Sequence, residues 1–222
     1  MVKFRSMSIK LIIFDLDGTL VNSSIDITNA LNYAIEPYGL EKLTVERTIS
    51  LVGEGITRLI EKVLGEGLTG IRDTVLERFL EYYGEHLTDN TDAYPGVRET
   101  LALLGDYRKA VISNKREDLS RRLLENLGLA GYFDITWGSD SVLEKKPSPV
   151  PVQEMLRKFS CAPAEAVIVG DSNYDIEAGR AAEVRTVAVS YGYRPVSLLK
   201  DADFIIGSMT DLISRLDTFN AQ

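Results

Sequence analysis

Residues 9–24 read IKLIIFDLDGTLVNSS. Four apolar or aromatic residues, Leu11 to Phe14, run straight into two carboxylates one residue apart, Asp15 and Asp17. A strand buried on both faces would not hold two acids, because burying an unpaired charge is costly. The apolar run therefore ends at Phe14, and the acids lie just past its carboxyl end. In open parallel sheets that is where ligands bind, since the crossover loops gather there.

Five further runs of the same type follow: KAVIS at 109–113, FDITW at 133–137, AVIVG at 166–170, TVAVS at 186–190 and DFIIG at 203–207. Amphipathic stretches separate them. In EDLSRRLLENLGL, Leu119, Leu123, Leu124 and Leu127 share one helical face and Gly128 supplies a stop. Strands alternating with helices predict an α/β fold, a Rossmann-like parallel sheet covered on both faces. One interval breaks the alternation. From Ser24 to about Asn90 only helical patterns occur, with Leu59, Ile60, Val63 and Leu64 on one face and Leu76, Phe79, Leu80, Tyr83 and Leu87 on another. The chain thus divides into a core, 1–22 and 93–222, and a small all-helical insert, 23–92, that returns through the breakers Pro95 and Gly96.

Composition narrows the function classes. The 222 residues carry 33 acidic and 25 basic side chains, a formal charge of −8, which argues against a nucleic-acid binder, since such proteins cluster Lys and Arg. An anionic substrate would need local positive charge or a metal. Cys161 is the lone cysteine, compatible with a reducing compartment. No apolar stretch approaches a membrane span, and MVKFRSMSIK lacks the apolar block of a signal peptide. A cytoplasmic protein with no membrane partner, monomer or homodimer, is expected.

The other strand ends carry matching chemistry: Ser113, Asn114 and Lys115 after the second run, Lys145 and Lys146 in KKPSP, and Asp171 and Asp175 in GDSNYD. Together with Asp15 and Asp17, these acids, lysines and a serine are expected to converge on one site. Gly18 allows a tight path with its amide free, and Thr19 adds a hydroxyl. Crowded carboxylates raise each other's proton affinity, and a hard divalent cation resolves the conflict. Oxygen ligands, waters and a substrate phosphate suit Mg²⁺. Fixed donors can then hold a phosphoryl group's spread charge.

In that order, DLDGTL, SNK, KPSP and GDSNYD resemble the four motifs of the haloacid dehalogenase superfamily, over about residues 9–207. The resemblance implies that Asp15 is a nucleophile forming an aspartyl-phosphate. Asp17 would be the acid that protonates the leaving oxygen and then the base that activates water. Gly18, Thr19, Ser113, Asn114 and Lys146 would hold the phosphoryl group, Lys145 being the weaker match. Asp15, the carbonyl of Asp17 and Asp171 would bind Mg²⁺, with Asp175 acting through water. An acid at Asp17 favours an alkoxide leaving group over halide.

The helical insert resembles the cap of the phosphoglycolate phosphatase and pyrophosphatase branch, so a phosphoglycolate phosphatase acting on a small phosphorylated metabolite is expected. A pyrophosphatase or a broad sugar- or nucleotide-phosphate phosphatase is the alternative. Outside that class stand a phosphoacceptor signalling module and a silent binding protein. LVGEGITRL at 51–59 resembles the cap segment that faces the active site. There Arg58, with Glu54 beside it, could clamp a substrate carboxylate, against the simpler reading of a solvated helix face. Lys115 reads either as reaching a substrate oxygen or as lining the entrance, the second being favoured; His86 reads as a surface or packing residue, Trp137 as core or edge packing, and the Tyr82–Tyr83 pair as helix packing. Glu183 stands in AAEVRTV where a glycine is common, which points to a turn.

Overall fold

The computed structural model describes residues 8–221; the first seven, which contribute to the reading of the start of the chain, lie outside them. Six strands form one sheet in the order β5-β4-β1-β6-β7-β8: β1 (Leu11–Phe14), β4 (Arg108–Ile112), β5 (Ile135–Trp137), β6 (Ala166–Gly170), β7 (Arg185–Val189) and β8 (Phe204–Ile206). Every neighbouring pair in it is parallel. All six apolar runs are strands, with β1 at the centre.

Alternation along β1 explains the two layers. Ile12 and Phe14 pack on one face against Leu101 of α5 (Val97–Leu103), Leu123 and Leu124 of α6 (Glu117–Asn126) and Leu212, Leu216 and Phe219 of α9 (Leu212–Asn220). Leu11 and Ile13 face the other way, onto Val152, Met155 and Leu156 of α7 (Val150–Phe159) and Ala178 of α8 (Asn173–Ala181). None of the four β1 side chains is exposed to solvent, and each contributes roughly 1.5–3 kcal/mol by burial.

Two strands of two residues, β2 (Val21–Asn22) and β3 (Asp92–Ala93), are too short to give a sequence signal. They pair antiparallel and bracket the helical segment. Between them run α1 (Ser24–Ile35), α2 (Val45–Leu51), α3 (Ile56–Leu64) and α4 (Arg72–Glu85). Ile27, Leu31, Leu59, Ile60, Phe79, Tyr83 and Leu87 form a cluster separate from the sheet's, joined from the α/β body by Leu119. Where the segment leaves and rejoins the body, the buried Asp26 accepts hydrogen bonds from the Asn90 amide, the Asn90 side chain (2.7 Å) and the Thr91 hydroxyl (2.7 Å). One carboxylate thus ties the first turn of α1 to the returning chain.

Glu183 follows α8 at φ 61°. Val184 N–H donates to the Gly179 carbonyl at 3.0 Å and Glu183 N–H to that of Arg180 at 3.1 Å, a helix ending that favours glycine at the left-handed position. A side chain there costs about 1 kcal/mol. Glu183→Gly is expected to leave activity alone and raise the melting temperature by a few degrees, read by calorimetry; an unchanged or lower Tm would show that the backbone bears no such strain.

Candidate active site

The loops beyond the carboxyl ends of β1, β4 and β6, with the loop before α7, converge on one cavity of about 80 Å³. Its lining includes Asp15, Asp17, Ser113, Asn114, Lys115, Lys146 and Asp171. Helices α1, α3 and α4 supply the apolar wall opposite, through Ile27, Ile56, Leu59, Phe79 and Tyr83.

Lys146 sits at the bottom with its side chain 2% exposed. Its ammonium donates to Asp15 Oδ1 (2.8 Å), Asp175 Oδ1 (2.6 Å) and the Ile112 carbonyl (2.6 Å), which uses all three of its protons. Burial works against its charge, yet the two carboxylates hold its pKa above the ordinary value. The other oxygen of Asp175 accepts from the Ser172 amide (3.1 Å) and hydroxyl (2.6 Å), capping α8. Asp175 is thereby committed to fixing Lys146 and the helix end.

Asp15, Asp171 and Asp175 offer oxygens within 4.8 Å of one another. Burial pushes Asp15 up to about 7 against the pull of Lys146, and Asp175 adds to the rise. Burial, then the charges of Asp15 and Asp175, raise Asp171 well above the carboxylate range. Backbone closes around the group. A Cβ at Gly18, whose φ is 87°, or at Gly192 would collide with the Asp171 carboxylate, which also accepts the Tyr193 amide at 2.6 Å. Three buried carboxylates with one shared ammonium leave excess negative charge, and their hard oxygens fit a divalent cation.

Several expectations need revision. The Gly18 amide is not free; it donates to the Val21 carbonyl at 2.9 Å. Neither Gly18 nor Thr19 lines the cavity, and the Thr19 hydroxyl is buried with no partner among the described residues. Lys115 is no entrance residue. Its side chain is 7% exposed, and its ammonium donates to Asp17 Oδ1 (2.6 Å) and the Tyr83 hydroxyl (2.8 Å). The Ser23 hydroxyl donates to the same Asp17 oxygen. Tyr83, read as packing alone, brings its hydroxyl into the cavity. Tyr82 does pack, stacked between Tyr33 and His86.

Arg58 lies outside the cavity, more than half exposed, paired to Glu61 at 2.6 Å and more loosely to Glu54. Glu54 is held by Lys62 and by the Tyr174 hydroxyl at 3.1 Å. Two arginines do line the cavity, Arg116 and Arg194, the latter from the loop after β7. Arg194 is the one that reaches the helical segment. It grips the last turn of α2 through the carbonyls of Ile49 (3.0 Å) and Val52. Asn114 donates to the Gly53 carbonyl (2.8 Å) and Lys145 to that of Glu54 (2.5 Å). Segment 49–54 is therefore clamped onto the strand-end loops. No periodicity in the sequence marks Arg194.

The model of the haloacid dehalogenase-like hydrolases matches residues 12–189. The phosphoglycolate phosphatase of Chromobacterium violaceum is 41% identical over 211 residues, 92% of this chain and 95% of that one. That of Aquifex aeolicus is 37% identical over 214 residues, covering 94% and 97%. The crystal structure of a predicted phosphoglycolate phosphatase from Haemophilus somnus 129pt superposes with a TM-score of 0.87 at 31% identity, covering 93% of this chain and 97% of that one.

Proposed function

This chain belongs to the haloacid dehalogenase-like hydrolases, and from that membership we propose that it is a Mg²⁺-dependent phosphoglycolate phosphatase working through an aspartyl-phosphate on Asp15. The observation that carries the reading is Lys146, which shares one ammonium between Asp15 and Asp175 beside Asp171. That arrangement offers a nucleophilic carboxylate, a fixed cation for phosphoryl oxygens and oxygen donors for a metal.

In this mechanism Asp15 attacks phosphorus in line, and Asp17 gives its proton to the departing alkoxide oxygen. Asp17 then takes a proton from the water that cleaves the acyl phosphate. Lys146 keeps Asp15 oriented and neutralises charge on the transferring group. Asp15, the Asp17 carbonyl and Asp171 would hold the cation, and Asp175 would support them from Lys146. Bound there, Mg²⁺ would stabilise negative charge on the phosphoryl oxygens.

Residues 23–92 act as the cap. The separate apolar cluster of α1–α4 and the clamp on segment 49–54 support that role; closing the cap excludes water and selects the leaving group. No helix of the described residues is long and apolar enough to cross a membrane; a cytoplasmic setting accords with the single free thiol of Cys161.

Phosphate release from phosphoglycolate, pyrophosphate, sugar phosphates and nucleoside monophosphates, each with Mg²⁺ and with EDTA, tests the reading. A Mg²⁺-dependent kcat/KM for phosphoglycolate well above the rest is expected; equal values across the panel would replace it with a broad phosphatase.

The raised carboxyls give a second expectation. Asp15, pushed up to about 7, and Asp171, raised well above the carboxylate range, hold protons that a cation must displace. Metal binding at pH 7 should release protons and weaken as pH falls from 8 to 6. Titration calorimetry in two buffers of different ionisation enthalpy reads the release; identical heats would contradict it.

A further inference from the structure

Phosphoglycolate carries a second anion on its leaving group, and the cavity wall opposite Asp15 is mostly apolar, with Ile27, Ile56, Leu59, Phe79 and Leu119. A carboxylate entering that wall loses its water and needs donors in return. Most cations nearby are committed elsewhere. Lys146 has three acceptors, and Arg194 holds α2 with both terminal nitrogens. Arg116, which also lines the cavity, turns to Asp118 at 3.2 Å, and Lys145, holding the Glu54 carbonyl, lies outside the cavity lining.

Lys115 differs. An ammonium has three protons, and among the described residues two are taken, by Asp17 and by Tyr83. The Tyr83 hydroxyl accepts from Lys115, so its own proton remains uncommitted. Both groups are buried, and Lys115 touches Asp17, the residue that faces the ester oxygen in the proposed reaction.

Resting on the phosphoglycolate reading, we infer that Lys115 and Tyr83 form the carboxylate-binding end of the pocket: the third ammonium N–H and the phenol O–H hold the two oxygens of a carboxylate one carbon beyond the ester oxygen. Two adjacent donors, one of them cationic, match a carboxylate's paired oxygens. A phenol whose pKa burial pushes up to about 12 stays a donor at neutral pH. One donor comes from the α/β body and the other from α4, so the bound carboxylate also bridges the two parts. Specificity and closure then share the same contacts.

Ethyl phosphate tests this, being of the same reach but lacking the carboxylate. The readout is the ratio of kcat/KM for phosphoglycolate to that for ethyl phosphate, with glycolate inhibition as a binding measure. Tyr83→Phe should lower the ratio about tenfold, the worth of one hydrogen bond to a charged group. Lys115→Met should lower it by about 10²-fold and weaken glycolate inhibition, while Lys115→Arg retains part of the preference. A Tm close to the wild type's shows that the variants fold. A wild-type preference for phosphoglycolate that survives both Tyr83→Phe and Lys115→Met overturns the inference and leaves the enzyme's assignment standing. A wild type that turns over ethyl phosphate as well as phosphoglycolate overturns both.

Discussion

Asp15→Asn is expected to lower kcat by about 10⁴-fold or more on every substrate, because an amide oxygen cannot form the acyl phosphate. The same variant should fold well. Asp15 is one of three buried acids around a single ammonium, so neutralising it removes repulsion from Asp171 and Asp175. The sign of its pH dependence follows from the raised pKa. A carboxyl pushed up to about 7 in the folded protein binds its proton more tightly than in the unfolded chain. Without metal, the wild type therefore loses stability as pH rises from about 4 through 7. Asp15→Asn should flatten that loss, measured by denaturant titration in EDTA at pH 5.5 and 8. Retained turnover would remove Asp15 as nucleophile, and an unchanged pH slope would remove it as the strained acid.

Lys146→Met should abolish activity and also unfold the protein far more readily. The substitution keeps length and apolar stem but strands Asp15 and Asp175 in a buried site. Removing one partner of such a pair costs about 3–5 kcal/mol, roughly 10 °C in Tm for a chain of this size. Lowering the pH should recover part of the loss, since protonation relieves the orphaned acids. A Tm within a degree or two of the wild type at pH 8 would mean that the ammonium is not what keeps the acids in place.

The difference between Asp15 and Lys115 shows what is legible in the sequence. Period-2 burial on both faces of a central strand produces a continuous apolar run, so Leu11–Phe14 and the other five strands were visible, and the position of Asp15 past β1 followed from topology. For Lys115 the favoured entrance reading fails because its environment comes from elsewhere. Tyr83 reaches it from α4, thirty-two positions away in sequence, and no local pattern records that approach. Arg58 and Arg194 make the same point in reverse. Arg58 sits in the expected segment yet turns outward to Glu61, whereas Arg194 arrives from the far side of the sheet to hold α2. The free amide assigned to Gly18 failed for a local reason: the turn closes on Val21, and glycine's freedom said only that a turn was possible.

The antiparallel contact of β2 with β3, reinforced by Asp26, gathers entry and exit of residues 23–92 into one narrow neck. Because the chain leaves and returns at adjacent points, the α/β body sees the whole segment as a single surface loop, whose closure entropy grows only with the logarithm of its length. A segment so attached can be exchanged, lengthened or excised between Asn22 and Asp92 without rerouting any strand of the sheet. The neck is thus a splice point, at which the segment can vary while the strand-end loops that carry Asp15, Lys146 and Asp171 keep their course.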